Sequence, residues 1–562
     1  MAITTPRRRQ QQVGAGRTVT GSDAPYLVEV RSPAAVWWRV YLHHLRLLRN
    51  GAIAWIAGLA GIGWGVAATF EMRHGSPEEL AALRDMVGIP AFEALMGRYV
   101  RPDTVEGLVL SRWGWFAILA VVWGMLAAAK LFRGAEEAGH LEPLRAGAIG
   151  TRGLLTSGLA ALYTTHLVFA IAIGVGHTAG GMDAATSWAT GGAMALLTAV
   201  FATGVALTSQ LVASRRRAVG IVGIALGVIL GVRVVAAASA TPEWMWWTTP
   251  FGWIGFLHEV DQAQGRVLLA LGLLLAAVLA ATLATTRRDL HAGLLGGGEE
   301  ASAPNARPVR SQLGLAVRLT AGPARTWGLI VGAMVLVFGL LARDFAQAAA
   351  DLATTLAVVE ASLGWSGLDT AAGIVAWSFL FAVLLLAVFA AGQATAIREE
   401  EATWRIEHLL VRPVSRTRWL VTRVVVAAVA VVVVALAAGV LSWIATTVVG
   451  TPIALTEGLR AAVNIVPVAL LALGLGVAVL GFAPRLTAPL TYGLVIGAFL
   501  LDFVGGLLEL PEWALDLSPF RHLAAVPAVD MNVGAALFML GVALVGAIAG
   551  TLAFRRRDLQ EA

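Results

Sequence analysis

Twelve stretches of about 20 residues, each nearly free of charge, run through this chain. Nothing else in the sequence limits the fold as much. Inside a bilayer no water satisfies backbone N–H and C=O groups, so a single apolar stretch of that length crosses as a helix with its hydrogen bonds closed internally. Six of the stretches lie at 51–70, 113–132, 153–176, 187–213, 218–240 and 267–286. Six more lie at 326–342, 373–397, 419–449, 460–483, 486–508 and 533–554. The chain has 562 residues, 58% hydrophobic and 14% charged. A soluble protein of that size leaves too much of its chain facing water to hide so much apolar side chain. The fold class expected is an all-α integral membrane protein.

The charged residues are not scattered. Between the second and third apolar stretches lies RGAEEAGHLEPLRAGAIGTRGLL (133–155), and between the eighth and ninth lies REEEATWRIEHLLVRPVSRTRWL (398–420). Laid over each other without gaps, Arg133 falls on Arg398, Glu136 on Glu401, Glu142 on Glu407 and Leu155 on Leu420. One difference stands out: Glu137 falls on Ala402. A second set of matches extends the duplication. Pro242-Glu243-Trp244 pairs with Pro511-Glu512-Trp513, and Pro250-Phe251 with Pro519-Phe520. Asp261 pairs with Asp530, and Arg287-Arg288-Asp289-Leu290 with Arg556-Arg557-Asp558-Leu559, all at one offset. An even number of spans per copy makes both copies enter the membrane the same way. Two parallel six-helix repeats are therefore expected, related by an axis along the membrane normal, with any pathway between them. The boundaries read as a cytoplasmic tail (1–32), a first repeat (33–297), a cytoplasmic linker rich in Gly, Pro and charge (298–311) and a second repeat (312–562).

The basic residues set the orientation. Arg133, Arg145, Arg152, Arg215 to Arg217, Arg287, Arg288, Arg485 and Arg555 to Arg557 all fall on one side if the amino terminus is cytoplasmic, which satisfies the positive-inside rule. The net charge of +6 thus encodes topology and does not point to nucleic acid. The segment 33–49 carries a helical apolar stripe of Trp38, Tyr41, Leu45 and Leu48 and reads as an amphipathic helix lying on the cytoplasmic face.

The chemistry is mostly exclusion. The single lysine, Lys130, follows Ala129, so no Gly-Lys phosphate loop exists and this chain has no nucleotide site of that kind. With no cysteine there is no thiolate metal site or thiol nucleophile, and no span holds paired carboxylates. Three ionisable residues lie well inside spans, away from their ends: His166, Arg233 and Asp502. Arg233 and Asp502 occupy equivalent places in the two copies, in the outer third of the membrane, and the expectation is that they pair across the seam as an outer latch. The segments 241–266 and 510–532, with Pro250, Phe251, Pro519 and Phe520, are too broken to span and read as an outer gate.

These features together resemble the permease subunits of ABC-2 type exporters, of the long twelve-span kind associated with polyketide-antibiotic and multidrug export. The resemblance rests on the two acidic-basic loops and on the outer motifs Thr249-Pro250-Phe251 and Ser518-Pro519-Phe520, and it covers both halves. It implies extrusion of amphipathic or hydrophobic small molecules across a bacterial cytoplasmic membrane, with both termini cytoplasmic and with membrane lipids around the spans. It also implies that 33–49 is a connecting helix with a weaker twin at 308–325, and that the two loops hold short cytoplasmic coupling helices resting on two copies of a cytoplasmic ATPase subunit that bind ATP and Mg, while this chain binds no cofactor itself. The residues assigned to that coupling are Arg133, Glu136, Glu137, Glu142 and Arg145 in the first loop and Arg398, Glu401, Glu407, Arg412 and Arg416 in the second. A proton-coupled twelve-span carrier and a lipid-export permease are the alternatives the sequence leaves open.

Overall fold

A computed structural model describes residues 32–73, 76–85, 87, 93, 97–98, 100–137, 149–212, 214–237, 243–258, 263–285, 311–351, 370–402, 415–505 and 511–557. Among these residues every regular element is a helix, and twelve helices are long and apolar enough to cross a membrane. In the first half they are α1 (Pro33–Ala68), α2 (Val105–Ala129), α3 (Thr151–Ala179), α4 (Ala184–Leu211), α5 (Arg215–Ala237) and α6 (Ala263–Ala284). In the second half they are α7 (Gln312–Asp351), α8 (Ala371–Ala402), α9 (Arg416–Val448), α10 (Leu455–Phe482), α11 (Thr487–Gly505) and α12 (Val533–Arg556). Short polar caps start several of them. The side chains of Thr104, Asp183, Ser415 and Asn532 accept from the backbone N–H three residues on, satisfying donors that a helix start leaves open.

Both halves use one pairing scheme. In the first, α3 packs on α1 and α4, while α2, α5 and α6 all pack on α4. In the second, α9 packs on α7 and α10, while α8, α11 and α12 all pack on α10. Two separate apolar cores result, one per half, and the first also takes in Phe338, Leu341, Ala342 and Ile374 from the second half.

Two expectations change. Residues 33–49 are not a helix separate from the first span. α1 runs unbroken through Asn50 and Gly51 to Ala68, about 54 Å at 1.5 Å per residue, well beyond a hydrocarbon core of about 30 Å. The physical reason lies in its partner: Trp37 donates to Thr156 at 3.0 Å, Tyr41 meets Thr164 at 3.0 Å and His44 meets Ser157 at 3.4 Å. These bonds seat the segment along α3, with Val40, His44 and Leu48 inward and Trp38 54% exposed. In the second half α7 likewise starts at Gln312 and continues through Pro323 without ending. Of that twin segment, 308–310 lie outside the described residues, as does most of the linker.

Candidate functional site

The roots of the two charged loops show the densest electrostatics. α2 ends in a π-helical turn, Lys130–Gly134, that runs into Ala135–Glu137. Single π turns inside α-helices often mark functional positions. Here the turn places Arg133 and Glu136 face to face at 2.9 Å, with side chains 0% and 1% exposed. Arg133 also donates to the carbonyl of Val212 at the end of α4. Lys130 reaches back to the carbonyl of Leu47 on α1 at 2.9 Å, and Glu137, which is exposed, accepts from the N–H of Arg215 at the start of α5. Three helices, α1, α4 and α5, are tied to one turn of α2.

The second root repeats the charges of the first. Arg398 and Glu401 pair at 3.3 Å. The Glu401 carboxylate also takes a two-pronged bond from Arg557, just past the end of α12, with Nη2 at 2.8 Å. Arg557 donates in turn to the carbonyl of Leu480 on α10, lies over the Phe554 ring at 4.9 Å, and offers its own carbonyl to Arg416. One turn away, Arg423 of α9 binds Glu400 at 2.7 Å and Thr320 of α7 at 3.0 Å. Thus α7, α8, α9, α10 and α12 all meet in one charged clasp. Arg557 was not singled out from the sequence as the partner of Glu401; the repeated Arg-Arg-Asp-Leu ending was the available signal.

This placement alters the roles expected of the loop residues. Arg133, Glu136, Arg398 and Glu401 are buried, so they hold each loop to the span ends and do not themselves offer a docking face. Of the others described, Glu137 is exposed and Arg416 partly exposed. Glu142, Arg145, Glu407 and Arg412 lie outside the described residues.

At the opposite end the two Pro-Phe motifs are packed in. Thr249 caps the short helix Pro250–Ile254 by accepting from Gly252 N–H at 3.1 Å, and Phe251 is buried edge-on to Phe201. Ser518 donates to the carbonyl of Ala498 on α11, and Phe520 packs edge-on to Phe499 at 5.4 Å. Pro250 and Pro519 start these turns beside the buried rings.

The expected Arg233–Asp502 pair is not formed in this structure. Arg233 is 2% exposed and donates to the carbonyl of Gly114 on α2 at 3.0 Å, which holds it inside the first half. Asp502 is half-buried, and the charges acting on it are those of Arg521 and His522 in its own half. Occupying matched positions in a repeat put each residue toward its own half's neighbours. His166, the third ionisable group, is buried on α3 beside the Trp123 ring, 5.9 Å between centroids, and neither ring nitrogen has a hydrogen-bond partner among the described residues.

The halves meet through rings. Trp115 of α2 faces Phe381 of α8 at 6.4 Å, nearly parallel. Phe381 also contacts Phe338 of α7, Trp377 of α8 and Phe499 of α11. No sequence pattern announced this cluster, because its members come from four separate helices.

Comparison with known proteins fits this architecture. The family described as "Multidrug efflux system permease Rv1217c, C-terminal domain" matches residues 41–287 and again residues 309–555, two segments of equal length. The chain belongs to this family of multidrug efflux permeases. It is also similar to the "Multidrug efflux system permease protein Rv1217c" of Mycobacterium tuberculosis (strain ATCC 25618 / H37Rv), 30% identical over 488 residues, 85% of this chain and 87% of that protein. The permease is accordingly a multi-pass membrane protein with a transport role. The double match falls on the same two halves whose helix pairing repeats.

Proposed function

We propose that this permease is the membrane-spanning subunit of an ATP-driven, ABC-2 type exporter, which extrudes amphipathic or hydrophobic small molecules. Two copies of a separate cytoplasmic ATPase bind ATP and Mg and press on the loops 138–148 and 403–414. The observation that carries this reading is the wiring of the loop roots. A loop that receives force from a motor must pass it to the spans without yielding. Buried ion pairs do this by fixing geometry, since parting either charge strands the other in a low dielectric. Both loops are anchored this way, by Arg133–Glu136 and by Arg398–Glu401–Arg557. The relative named above as an efflux permease agrees with transport. In this reading both termini are cytoplasmic and the Pro-Phe motifs face outward.

The test is a double charge reversal, Glu142→Arg with Glu407→Arg, in cells that export a fluorescent substrate. Export should stop while membrane insertion and yield stay normal, and the purified variant should no longer stimulate its ATPase. Export at the wild-type rate would end this reading. One observation favours a proton-coupled carrier instead: His166, a buried imidazole without a hydrogen-bond partner among the described residues, is the kind of group such relays use. Export that continues without ATP and collapses with a protonophore would select that alternative.

A further inference from the structure

The ring cluster between the halves has a geometry beyond what packing alone requires. Phe381 stands at its centre. Trp115 and Phe338 lie within 23° of parallel to it, and Trp377 and Phe499 meet it at steeper angles. Phe499 continues to Phe520 of the Pro-Phe motif, so the cluster runs from the junction of the halves to the motif end. Trp115, Trp377 and Phe381 are only half-buried. The helix pairs that pack extensively all lie within one half or the other, and the Trp115–Phe381 contact crosses between the halves. Moving the halves apart therefore parts Trp115 from Phe381 and leaves two nearly parallel aromatic faces opposed. A flat ring inserted between two such faces needs about 7 Å, twice the usual carbon contact distance, and the two centroids now stand 6.4 Å apart. An aliphatic chain gains only area there, whereas a planar π-system also gains the offset-stacked attraction that such pairs provide.

We infer that this cluster is a binding site for planar aromatic compounds, with Trp115 and Phe381 as its two walls and Phe520 linking it to the exit motif. The inference rests on the reading of this chain as an exporter permease whose pathway runs between its halves. The asymmetry is part of it: one wall comes from the first half and nearly all the rest from the second. Aligned on the charged loops, Trp115 corresponds to Leu380 and Phe381 to Phe116, so the second copy of the Trp115 wall is missing and the permease has one such slot, not two.

The experiment measures binding to the purified full-length permease in lipid nanodiscs, without ATP. The planar dye Hoechst 33342 is compared with tetraphenylphosphonium, an apolar cation of non-planar shape. Trp115→Leu with Phe381→Leu keeps apolar bulk and removes both flat faces. Hoechst affinity should fall about tenfold or more, at about two- to tenfold per ring, with tetraphenylphosphonium changed less than about twofold. Trp115→Phe and Phe381→Tyr should each stay within about threefold of wild type. Hoechst affinity unchanged in the double leucine variant, or an equal loss for both probes, overturns the inference. If that variant is not recovered folded, the permease's lack of cysteine supplies a second measurement that leaves both walls in place: Hoechst must protect Ile118→Cys, half-buried one turn from Trp115 on α2, from maleimide, and absence of protection overturns the inference as well. Because no ATP is used, failure here is separate from failure of the ATP-driven reading, which shows instead as missing ATPase stimulation.

Discussion

The two halves share a pairing scheme and fill it with different chemistry. α4, at the centre of the first half, carries Thr186, Ser187, Thr190, Thr198, Thr203, Thr208 and Ser209, all buried. Most of these hydroxyls return to a carbonyl three or four residues earlier, as Thr198 does to Met194 at 2.7 Å and Thr203 to Ala199 at 2.7 Å, and so they cost little in an apolar setting. α10, at the centre of the second half, has glycines in close backbone contact instead. A Cβ on Gly474 or Gly481 would strike the backbone of Ala543 or Gly550 on α12, the small-residue approach that lets helices associate in lipid without a hydrophobic drive. The contrast continues around these centres. His166 corresponds to Val431, His177 to Ser442 and Trp113 to Ser378. Polar groups collect inside the first half, and charges collect in the clasp at the loop end of the second. Duplication preserved which helices touch; it did not preserve what they touch with, so each half can hold a separate task.

The clasp gives the largest expected effect. Glu401→Gln leaves Arg398 and Arg557 facing a neutral group in a buried site, which should cost about 3–5 kcal/mol in denaturant unfolding of the detergent-solubilised permease. Glu136→Gln tests the other root. Because Glu401 reaches the end of α12 through Arg557, amide exchange in the last turn of α12 should quicken in the first variant and stay at the wild-type rate in the second. Equal quickening in both would mean that each root does not act on its own half alone. Next in size is the glycine seam. Gly550→Ala forces a methyl into the backbone of Val477 and should cost about 1–3 kcal/mol. Thr198→Ala in the first half removes only a self-satisfied hydroxyl and should cost less than about 1 kcal/mol.

Much of this fold was legible before the structure, because helix existence in lipid follows from length and apolarity alone. The turn chemistry was legible in the same way: Thr249 and Ser518 ahead of Pro-Phe are positions where a hydroxyl satisfies open backbone groups. The junction of α1 was missed because charge at Arg46 and Arg49 suggests a break at the membrane surface, while helix continuity depends on a partner, α3, that sequence does not reveal. The Arg233–Asp502 pair failed for a related reason. Equivalent positions in a repeat share a height and a facing relative to their own half, and contact across the seam needs tertiary distances that an offset does not contain. The loop residues were recognised as a set, yet their burial was not foreseen, since charge in a sequence says nothing of which partners remove it from water. The aromatic cluster left no trace at all, because four helices each contribute one or two rings with no spacing in common.

His166 sharpens the comparison from the polar side. Its buried imidazole makes no hydrogen bond to a described residue, so replacing it with an apolar side chain of similar size removes a polar group that gains nothing from folding. His166→Leu should leave stability unchanged or raise it by about 1 kcal/mol. The mirror change Val431→His puts the same group into the apolar second half and should lower stability by about 1–3 kcal/mol. Unfolding of both variants under one condition decides the matter. If Val431→His is tolerated as well as His166 itself, the first half has no special capacity for polar groups. Export rate is read in the same strains, where His166→Leu at the wild-type rate removes the proton-relay alternative.

The smallest effect lies at the helix starts, where the halves reach one end by two routes. α4 is capped by Asp183, whose carboxylate accepts from the Thr186 N–H at 2.9 Å and the Thr186 hydroxyl at 3.1 Å. α10 is capped in reverse, Glu457 bending back to the Ala454 N–H at 2.7 Å. The bonds from Thr186, backbone first and hydroxyl second, hold the Asp183 carboxyl below its ordinary range. A carboxyl whose folded value is lowered binds its proton more readily when unfolded, so its contribution is complete above the ordinary carboxylate range, about 4, and disappears as pH falls through the lowered value. Because Asp183 is exposed to solvent, the effect stays local to the first turn of α4. Asp183→Ala should therefore speed exchange at the Thr186 amide near neutral pH, after correction for intrinsic rates, with the difference from wild type closing near pH 3. Glu457→Ala should expose the Ala454 amide and leave Thr186 as it was. A Thr186 difference that persists undiminished at pH 3 would show that the cap acts by shape and not by charge, and the two caps would then differ in kind as well as direction.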